Sequence, residues 1–192
     1  MADTNKIVYG ISKCYYAVAT IGTDGSATYS TPVAIPGAVS LAMSAQGETE
    51  PFYADNIVYY TSISNSGYEG TLEVAKLPVS FFTDILGYKA GANGVLYEDA
   101  NAEPVHFALL FQFEGDAHSK HSALYNCVAQ RPDVGSSTKE ASITPNTETV
   151  NITATTVHAL NTDIVKGSVV EGDSAYANWF TAVALPTAPA TT

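Results

Sequence analysis

The stretch GAVSLAMSAQGETEPFYADNIVYY, Gly37–Tyr60, is the part of the sequence around which the fold is organised. Two runs with the composition of strands, Ala38–Ala45 and Ile57–Ser62, flank the acidic segment Gly47–Asn56. Because a hairpin turn usually needs only about two to five residues, this longer connection predicts a loop that contacts another molecule. A flexible, solvated turn is the alternative.

The acidic segment combines carboxylates with large aromatic side chains. Pro51 fixes one backbone φ angle and Gly47 leaves another free, a combination that favours a defined shape. Aromatic side chains are suited to anchoring a contact, and carboxylates can meet Lys, Arg or backbone donors across it. The candidate contact residues are therefore Glu48, Glu50, Phe52, Tyr53 and Asp55.

The composition predicts a mainly β protein, because runs rich in Thr, Val, Tyr and Ile lie between Gly, Pro, Asn and Asp. A chain of 192 residues fits one domain, which we place at residues 1–185, followed by a flexible tail at 186–192. The sequence contains no run of about 18 apolar residues that could form a membrane span. The N-terminus lacks the pattern of a secretory signal, so the protein is expected to remain in the cytoplasm where it is made.

The formal net charge is -11, with 8 Lys and Arg against 19 Asp and Glu. Such a chain repels the phosphate backbone, which argues against a nucleic-acid-binding protein. An acidic, water-filled channel would nevertheless let DNA slide through without sticking. Simple solubility is the alternative explanation of the acidity.

Short apolar runs separated by turn residues predict the remaining strands. The run Val105–Phe113 has the clearest alternation and should be central to the core. Together the strands predict a β-sandwich or barrel. They are expected at Ile7–Ile21, Ala27–Tyr29, Val33–Ile35, Tyr68–Ala75, Val95–Tyr97, Val105–Phe113, Ser122–Ala129, Val150–Ala154 and Ile164–Val170.

Two helices are predicted. The first spans residues 78–87, where apolar residues follow helical spacing, Pro78 suits the first turn and Gly87 can close the end. Its apolar stripe is expected to cover an end or a face of the sheet. The second is a short C-terminal helix that carries Tyr176 and Trp179 and is capped by Asp173 or Ser174.

No pattern of catalytic or metal-binding residues emerges, and no cofactor is expected. Cys14 and Cys127 are far apart in sequence and are predicted to be buried free thiols, a disulfide being the alternative. The four histidines lack metal-ligand spacing, and no nucleophile elbow occurs. Carboxylates for a glycosidase are plentiful, but the sequence places no pair together. We therefore expect no enzymatic activity.

Seven segments occur along the chain in a characteristic order: IPGAVSL (Ile35–Leu41), GETEPFYADNIVYY (Gly47–Tyr60), NSGYEG (Asn65–Gly70), FALLFQFEGD (Phe107–Asp116), ALYNCVAQRP (Ala123–Pro132), TKEASITPNTETVNITAT (Thr138–Thr155) and YANWF (Tyr176–Phe180). In this order they resemble the major tail protein of long non-contractile bacteriophage tails, which is the subunit of the tail tube. The similarity runs from about Val8 to Val183. It depends on the number and order of the segments, because none is a catalytic signature.

The resemblance implies a structural role in a virion. Members of that family form hexameric rings that stack into a tube through which DNA passes without specific binding. It implies a β-sandwich whose strands join those of neighbouring subunits, with a helix at its flank. The implied partners are further copies of the chain and the tape-measure, tail-terminator and distal tail proteins, and no membrane. Under this resemblance the five candidate contact residues lie between subunits or between rings.

Two other classes of function compete with this interpretation. The first is a non-enzymatic β-sandwich that binds carbohydrate or a receptor on the virion surface through some of the 12 tyrosines and the Trp side chain. The second is an acidic glycosidase, which would need a carboxylate pair in a deep cleft. Rings or tubes of the purified chain would distinguish the structural role from both.

Overall fold

The computed structural model of the chain describes residues 7–115, 118–135 and 146–188. These residues form fifteen strands and one helix: β1 (Tyr9–Ile21), β2 (Ala27–Tyr29), β3 (Val33–Ala34), β4 (Ala38–Gln46), β5 (Thr49–Ala54), β6 (Ile57–Ile63), β7 (Gly67–Val74), α1 (Val79–Asp84), β8 (Lys89–Ala90), β9 (Leu96–Tyr97), β10 (Phe107–Glu114), β11 (His121–Ala129), β12 (Glu148–Thr155), β13 (Val157–Ala159), β14 (Thr162–Ile164) and β15 (Lys166–Val169). The mainly β class predicted from the sequence is confirmed. Most of the predicted tail at 186–192 lies outside the described residues, so the tail stays a prediction.

Nine strands form one large antiparallel sheet. Its path is β2-β1-β10-β11-β12-β7-β4, with β3 paired to β1 and β15 paired to β11. One edge of β11 is shared, because His121–Leu124 pairs with β15 and Asn126–Ala129 pairs with β12. Strand β10 lies between β1 and β11, which confirms the prediction that the run beginning at Val105 is central.

The sheet is covered on both faces, an arrangement consistent with a β-sandwich. Successive residues of β10 alternate between two apolar clusters, with Phe107 and Leu109 in the first and Ala108 and Leu110 in the second. The first cluster is closed by α1, and the second by the segment of residues 171–185. The alternation of β10 explains both layers, because side chains along a strand point to opposite faces in turn.

The first predicted helix corresponds to α1, which is shorter than the predicted range of 78–87. Pro78 precedes its first residue, and Ile85 ends it. Beyond Ile85 the chain turns at Gly87, which has a φ of 72°. The helix is fixed to β1 by the hydroxyl of Tyr16, which donates a hydrogen bond to the Asp84 carboxylate at 3.0 Å. The expectation that its apolar side chains cover the sheet is confirmed by the burial of Phe81.

The prediction of a C-terminal helix is wrong. Residues 171–182 form successive turns, and most of their backbone hydrogen bonds join residues three apart. Tertiary contacts explain this shape. The ring of Tyr176 stacks on His121 at 4.1 Å, and the buried indole of Trp179 donates to the Ser122 carbonyl at 3.4 Å. These two contacts hold the segment against the sheet.

Candidate assembly surface

The predicted loop at Gly47–Asn56 is instead a strand followed by a tight turn. Strand β5 pairs antiparallel with β6, from Thr49 opposite Ile63 to Ala54 opposite Ile57. The turn needs only Asp55 and Asn56, whose φ angles are 52° and 62°. Two positive φ values in a two-residue connection are typical of a type I′ turn, and Asp and Asn tolerate this conformation. The prediction of a long loop is wrong, because a turn at Asp55 and Asn56 leaves the preceding residues free to pair as strand β5. We call residues Thr49–Ile63 the projecting hairpin.

The projecting hairpin extends a pair of strands of the main sheet. Strands β4 and β7 pair as far as Gln46 and Gly67, and the amide of Ser66 donates to the Gln46 carbonyl at 2.8 Å. The amide of Ser64 then donates to the Glu48 carbonyl at 2.9 Å. Gly47 is required at this junction, because an added Cβ would lie 2.1 Å from the carbonyl oxygen of Ser64. The hairpin therefore reaches roughly 17–20 Å beyond the sheet, at about 3.4 Å per residue.

Both faces of the projecting hairpin are exposed. Every residue of β6 is exposed, and so is every residue of β5 except Ala54. The large apolar side chains that lie open to solvent, with exposed fractions from 52% to 77%, are Phe52, Tyr53, Ile57, Val58, Tyr59, Tyr60 and Ile63. An isolated two-stranded hairpin is only marginally stable in water, and a large exposed apolar patch marks an interaction surface. This surface is therefore suited to being covered by another molecule.

The aromatic residues of the hairpin are placed by its register. Phe52 lies directly opposite Tyr60, and Tyr53 lies opposite Val58. The register shift between these pairs leaves Tyr59 as an extra residue on β6, which is a β-bulge. Directly opposed side chains lie about 4.5–5.5 Å apart at Cβ, so Phe52 and Tyr60 form a neighbouring aromatic pair on one face.

The carboxylates of the hairpin region have no cation near them in sequence. No Lys or Arg occurs between Lys13 and Lys76. Among the described residues, the ion pairs join Lys89 to Asp99, Arg131 to Glu98, and His158 to Asp163. The side chains of the three acidic candidates, Glu48, Glu50 and Asp55, therefore take part in none of them.

The structure brings the five predicted contact residues onto one element, since Glu48, Glu50, Phe52, Tyr53 and Asp55 all lie in or beside the projecting hairpin. Whether they contact another subunit stays a prediction. The apolar residues of β6 belong to the same exposed surface, although they are not among the five predicted contact residues. The signal that could have found them is the Asp55-Asn56 pair between two apolar runs, which predicts a hairpin and thus places β6 beside β5.

The two cysteines do not belong to the projecting hairpin. Cys14 and Cys127 are free and buried, which confirms the prediction of free thiols. Burial raises the pKa of the Cys14 thiol to about 12 and raises the pKa of the Cys127 thiol as well. Both thiols are therefore protonated near neutral pH and unreactive as nucleophiles.

Residues 7–115, 118–135 and 146–188 contain neither a metal-binding cluster nor a membrane-spanning helix. Within them, no group of three or more His, Cys, Asp or Glu side chains could hold a metal ion. No helix in the same part of the chain is long and apolar enough to cross a membrane.

Comparison with known families identifies the protein class. Residues 2–115, more than half of the 192, match the family described as phage tail tube protein. The chain belongs to the phage tail tube protein family. The match contains the whole projecting hairpin of this tail tube protein, and it confirms the resemblance to a major tail protein. None of the curated proteins matches the chain.

Membership in the tail tube family gives the protein a structural role. It is a component of the virion tail, and the family implies self-assembly into a tube. Such a role suggests a non-enzymatic protein.

Proposed function

We propose that the protein assembles into hexameric rings that stack to form the tail tube, and that viral DNA passes through its lumen to the host. The observation that carries the proposal is the projecting hairpin, with its seven large apolar side chains exposed on both faces. In this proposal Phe52 and Tyr53 are anchors of the contact between subunits or rings. Glu48, Glu50 and Asp55 meet cationic side chains or backbone donors across it.

The geometry favours contacts between unlike surfaces of successive copies. A surface that projects from the sheet needs a complementary surface elsewhere on the neighbour, which makes a head-to-tail contact. Head-to-tail contacts close into rings or continue as filaments, depending on the rotation between copies. Because these contacts are permanent, each interface should bury upward of about 2,000 Å², as in obligate assemblies.

The acidic composition suits a channel for DNA. The formal net charge of -11 repels phosphate, so carboxylates that line the lumen would keep DNA from sticking. A cryo-electron microscopy map of the assembled protein should show an acidic lumen. A neutral or basic lumen would contradict this part of the proposal. Assembly takes place in the host cytoplasm, with tape-measure, tail-terminator and distal tail proteins as the further partners.

The direct test is electron microscopy of the purified chain over a range of concentrations. The proposal predicts rings with six-fold symmetry or tubes built from them. A monomer at every concentration tried, with binding to a carbohydrate or a receptor, would instead favour a binding module on the virion surface. Rings with another symmetry would support assembly into a tube but would contradict the hexameric ring.

A further inference from the structure

A second exposed apolar surface lies where the two ends of the sheet approach each other. A groove of about 500 Å³ separates the beginning of β1 from the beginning of β4. Its apolar lining consists of Val8, Tyr9, Ile11, Val39, Leu41 and Phe113. No hydrogen bond connects the two strands in the part of the chain that the structure describes, since β1 pairs with β2, β3 and β10 and β4 pairs with β7. We call this the seam groove.

The width of the seam groove decides what it can receive. The Cα atoms of β1 and β4 approach to within 8 Å of each other. Two strands that hold a third between them are about 9.5 Å apart, twice the spacing of neighbouring strands. Where β1 and β4 approach this closely, a third strand would not fit between them. The volume of the seam groove lies within the range of roughly 300–1,000 Å³ of pockets that hold small ligands, so it has room for aromatic side chains.

The lining of the seam groove is uncharged, so it is suited to apolar and aromatic side chains and not to carboxylates. None of the residues that line the groove carries a charge at neutral pH, in a chain with 19 acidic residues. Two carboxylates lie beside this lining. Glu73 accepts hydrogen bonds from the hydroxyls of Ser40 and Thr147 at 3.0 and 2.6 Å, and Glu114 lies opposite Tyr9 and close to Gly10. The projecting hairpin can therefore enter with its aromatic side chains, whereas its own three carboxylates must stay away from Glu73 and Glu114, because like charges across an interface are unfavourable.

The seam groove and the projecting hairpin lie at opposite ends of one ribbon. Val39 and Leu41 are at the beginning of β4, whereas the hairpin begins at Thr49, beyond the end of the strand. From Leu41 to Phe52 the ribbon extends roughly 35 Å at about 3.3 Å per residue, and paired strands keep it extended. The hairpin therefore cannot fold back into the seam groove of its own chain. A second copy can supply it.

We propose that the seam groove of one copy receives aromatic side chains from the projecting hairpin of a second copy, with the Phe52–Tyr60 pair as the anchor. This inference rests on the proposed tube function and names the surface that completes it. The contact is head-to-tail, since each copy offers a hairpin at one end of the β4 ribbon and a groove at the other. Repetition of such a contact produces a ring or a continuing stack without any other protein.

Cross-linking between two cysteine variants tests the pairing. Val39→Cys places a thiol at the rim of the groove, and Tyr60→Cys places one on the hairpin. The two variants are mixed, assembled and treated with a short thiol-specific cross-linker. We expect a cross-linked dimer in the mixture and none in either variant alone. The native cysteines should give little background because both are buried. The control is a mixture of Val95→Cys and Tyr60→Cys, because Val95 is about as exposed as Val39 but does not line the groove. This mixture should give no cross-linked dimer.

A charge variant tests the same contact without cross-linking. Val39→Glu puts a carboxylate into the groove and should raise the concentration needed for assembly more than about tenfold, because like charges across an interface are strongly unfavourable. Val39→Thr, with nearly the same shape, should assemble like the wild type. Thermal unfolding of both variants checks that the subunit remains folded, which is expected because Val39 is half exposed.

The outcomes separate this inference from the proposed function. If the wild type forms tubes but the mixture gives no cross-link and Val39→Glu assembles normally, another segment covers the seam groove and only this inference is overturned. Cross-linking of Val39→Cys to itself would indicate a two-fold contact and would also overturn it. If the wild type does not assemble at any concentration, the tube function fails and this inference fails with it.

Discussion

The double variant Phe52→Ala and Tyr53→Ala should separate folding of the subunit from its assembly. The two side chains are 61% and 63% exposed and belong to neither apolar cluster. Truncation of exposed side chains usually changes the free energy of unfolding by less than about 0.5 kcal/mol each. For a chain of this size, about 1 kcal/mol in total corresponds to a shift in Tm of roughly 2–4 °C at most.

The effect on assembly should be much larger. Aromatic anchors at the centre of an interface commonly contribute at least about 2 kcal/mol each to binding. Because such contributions are not additive, the loss for the pair lies between about 2 and 4 kcal/mol. That loss weakens each contact by about 30-fold to 1,000-fold. The concentration at which tubes form should rise by a similar factor.

Light scattering and sedimentation over a dilution series measure the concentration for assembly, and thermal unfolding of the dilute subunit measures its stability. The control is Val95→Ala with Tyr97→Ala, which removes side chains that are 53% and 47% exposed outside the hairpin. The control should assemble like the wild type. Normal tubes from the hairpin variant at wild-type concentration would refute the assignment of this surface, whatever the stability of the subunit.

Three further outcomes concern the folded subunit and are checked by thermal or denaturant unfolding. Phe81→Ala removes a fully buried ring and should lower the stability by about 3–5 kcal/mol; a loss under about 1 kcal/mol would mean that α1 does not close the first cluster. Gly70→Ala would place a Cβ 1.9 Å from a backbone carbonyl oxygen of β4 and should lower the stability by about 1–3 kcal/mol or more. Gly135→Ala, whose Cβ would have no atom of the described residues within 4 Å, should be nearly neutral. Burial lowers the pKa of His121 from its usual 6.5, and the charge of Lys13 lowers it further. The folded protein therefore favours the neutral ring. The resulting contribution to stability is complete above about pH 6.5 and is lost as the pH falls toward the lowered pKa. Between about pH 7.5 and pH 5 the wild type should therefore lose more stability than His121→Phe, and equal losses would show that the ring does not titrate in this way.

The central strands could be predicted because their burial leaves a pattern in the sequence. In β10, apolar residues occupy both faces. Phe107, Leu109 and Phe111 belong to the first cluster, and the alternating Ala108 and Leu110 belong to the second. The first strand is similar, since Tyr16 and Ala17 belong to opposite clusters. Where a strand is fixed by its own side chains against the core, local pattern and fold agree.

Two elements could not be predicted correctly, for different physical reasons. The projecting hairpin has no buried face, so its apolar residues follow no inside-outside rule, and only the Asp55-Asn56 turn indicates where the chain reverses. The C-terminal segment has helix-like spacing, but its conformation is set by contacts that are distant in sequence, such as the stack of Tyr176 on His121. Tertiary packing overrides local preference there.

The exposure of the candidate segment could be predicted, its strand conformation could not, and its role in a contact stays a prediction. The candidates from Glu48 to Asp55 lie in or beside the exposed hairpin. The signal in the sequence is the combination of aromatic and acidic residues in a turn-rich segment. Sequence alone could not add the partners on β6, since exposed Ile and Tyr residues at strand spacing look the same as core residues. The seam groove joins strands that are distant in sequence, so it could be found only from the folded chain.

Hydrogen exchange of residues 49–63, measured in the free subunit and in assembled tubes, tests the central claim most directly. If copies of the chain cover the projecting hairpin, its exposed amides should exchange much more slowly in the tube than in the subunit, while amides of the sheet interior change little. The same exchange rate for the hairpin in both states would contradict the account.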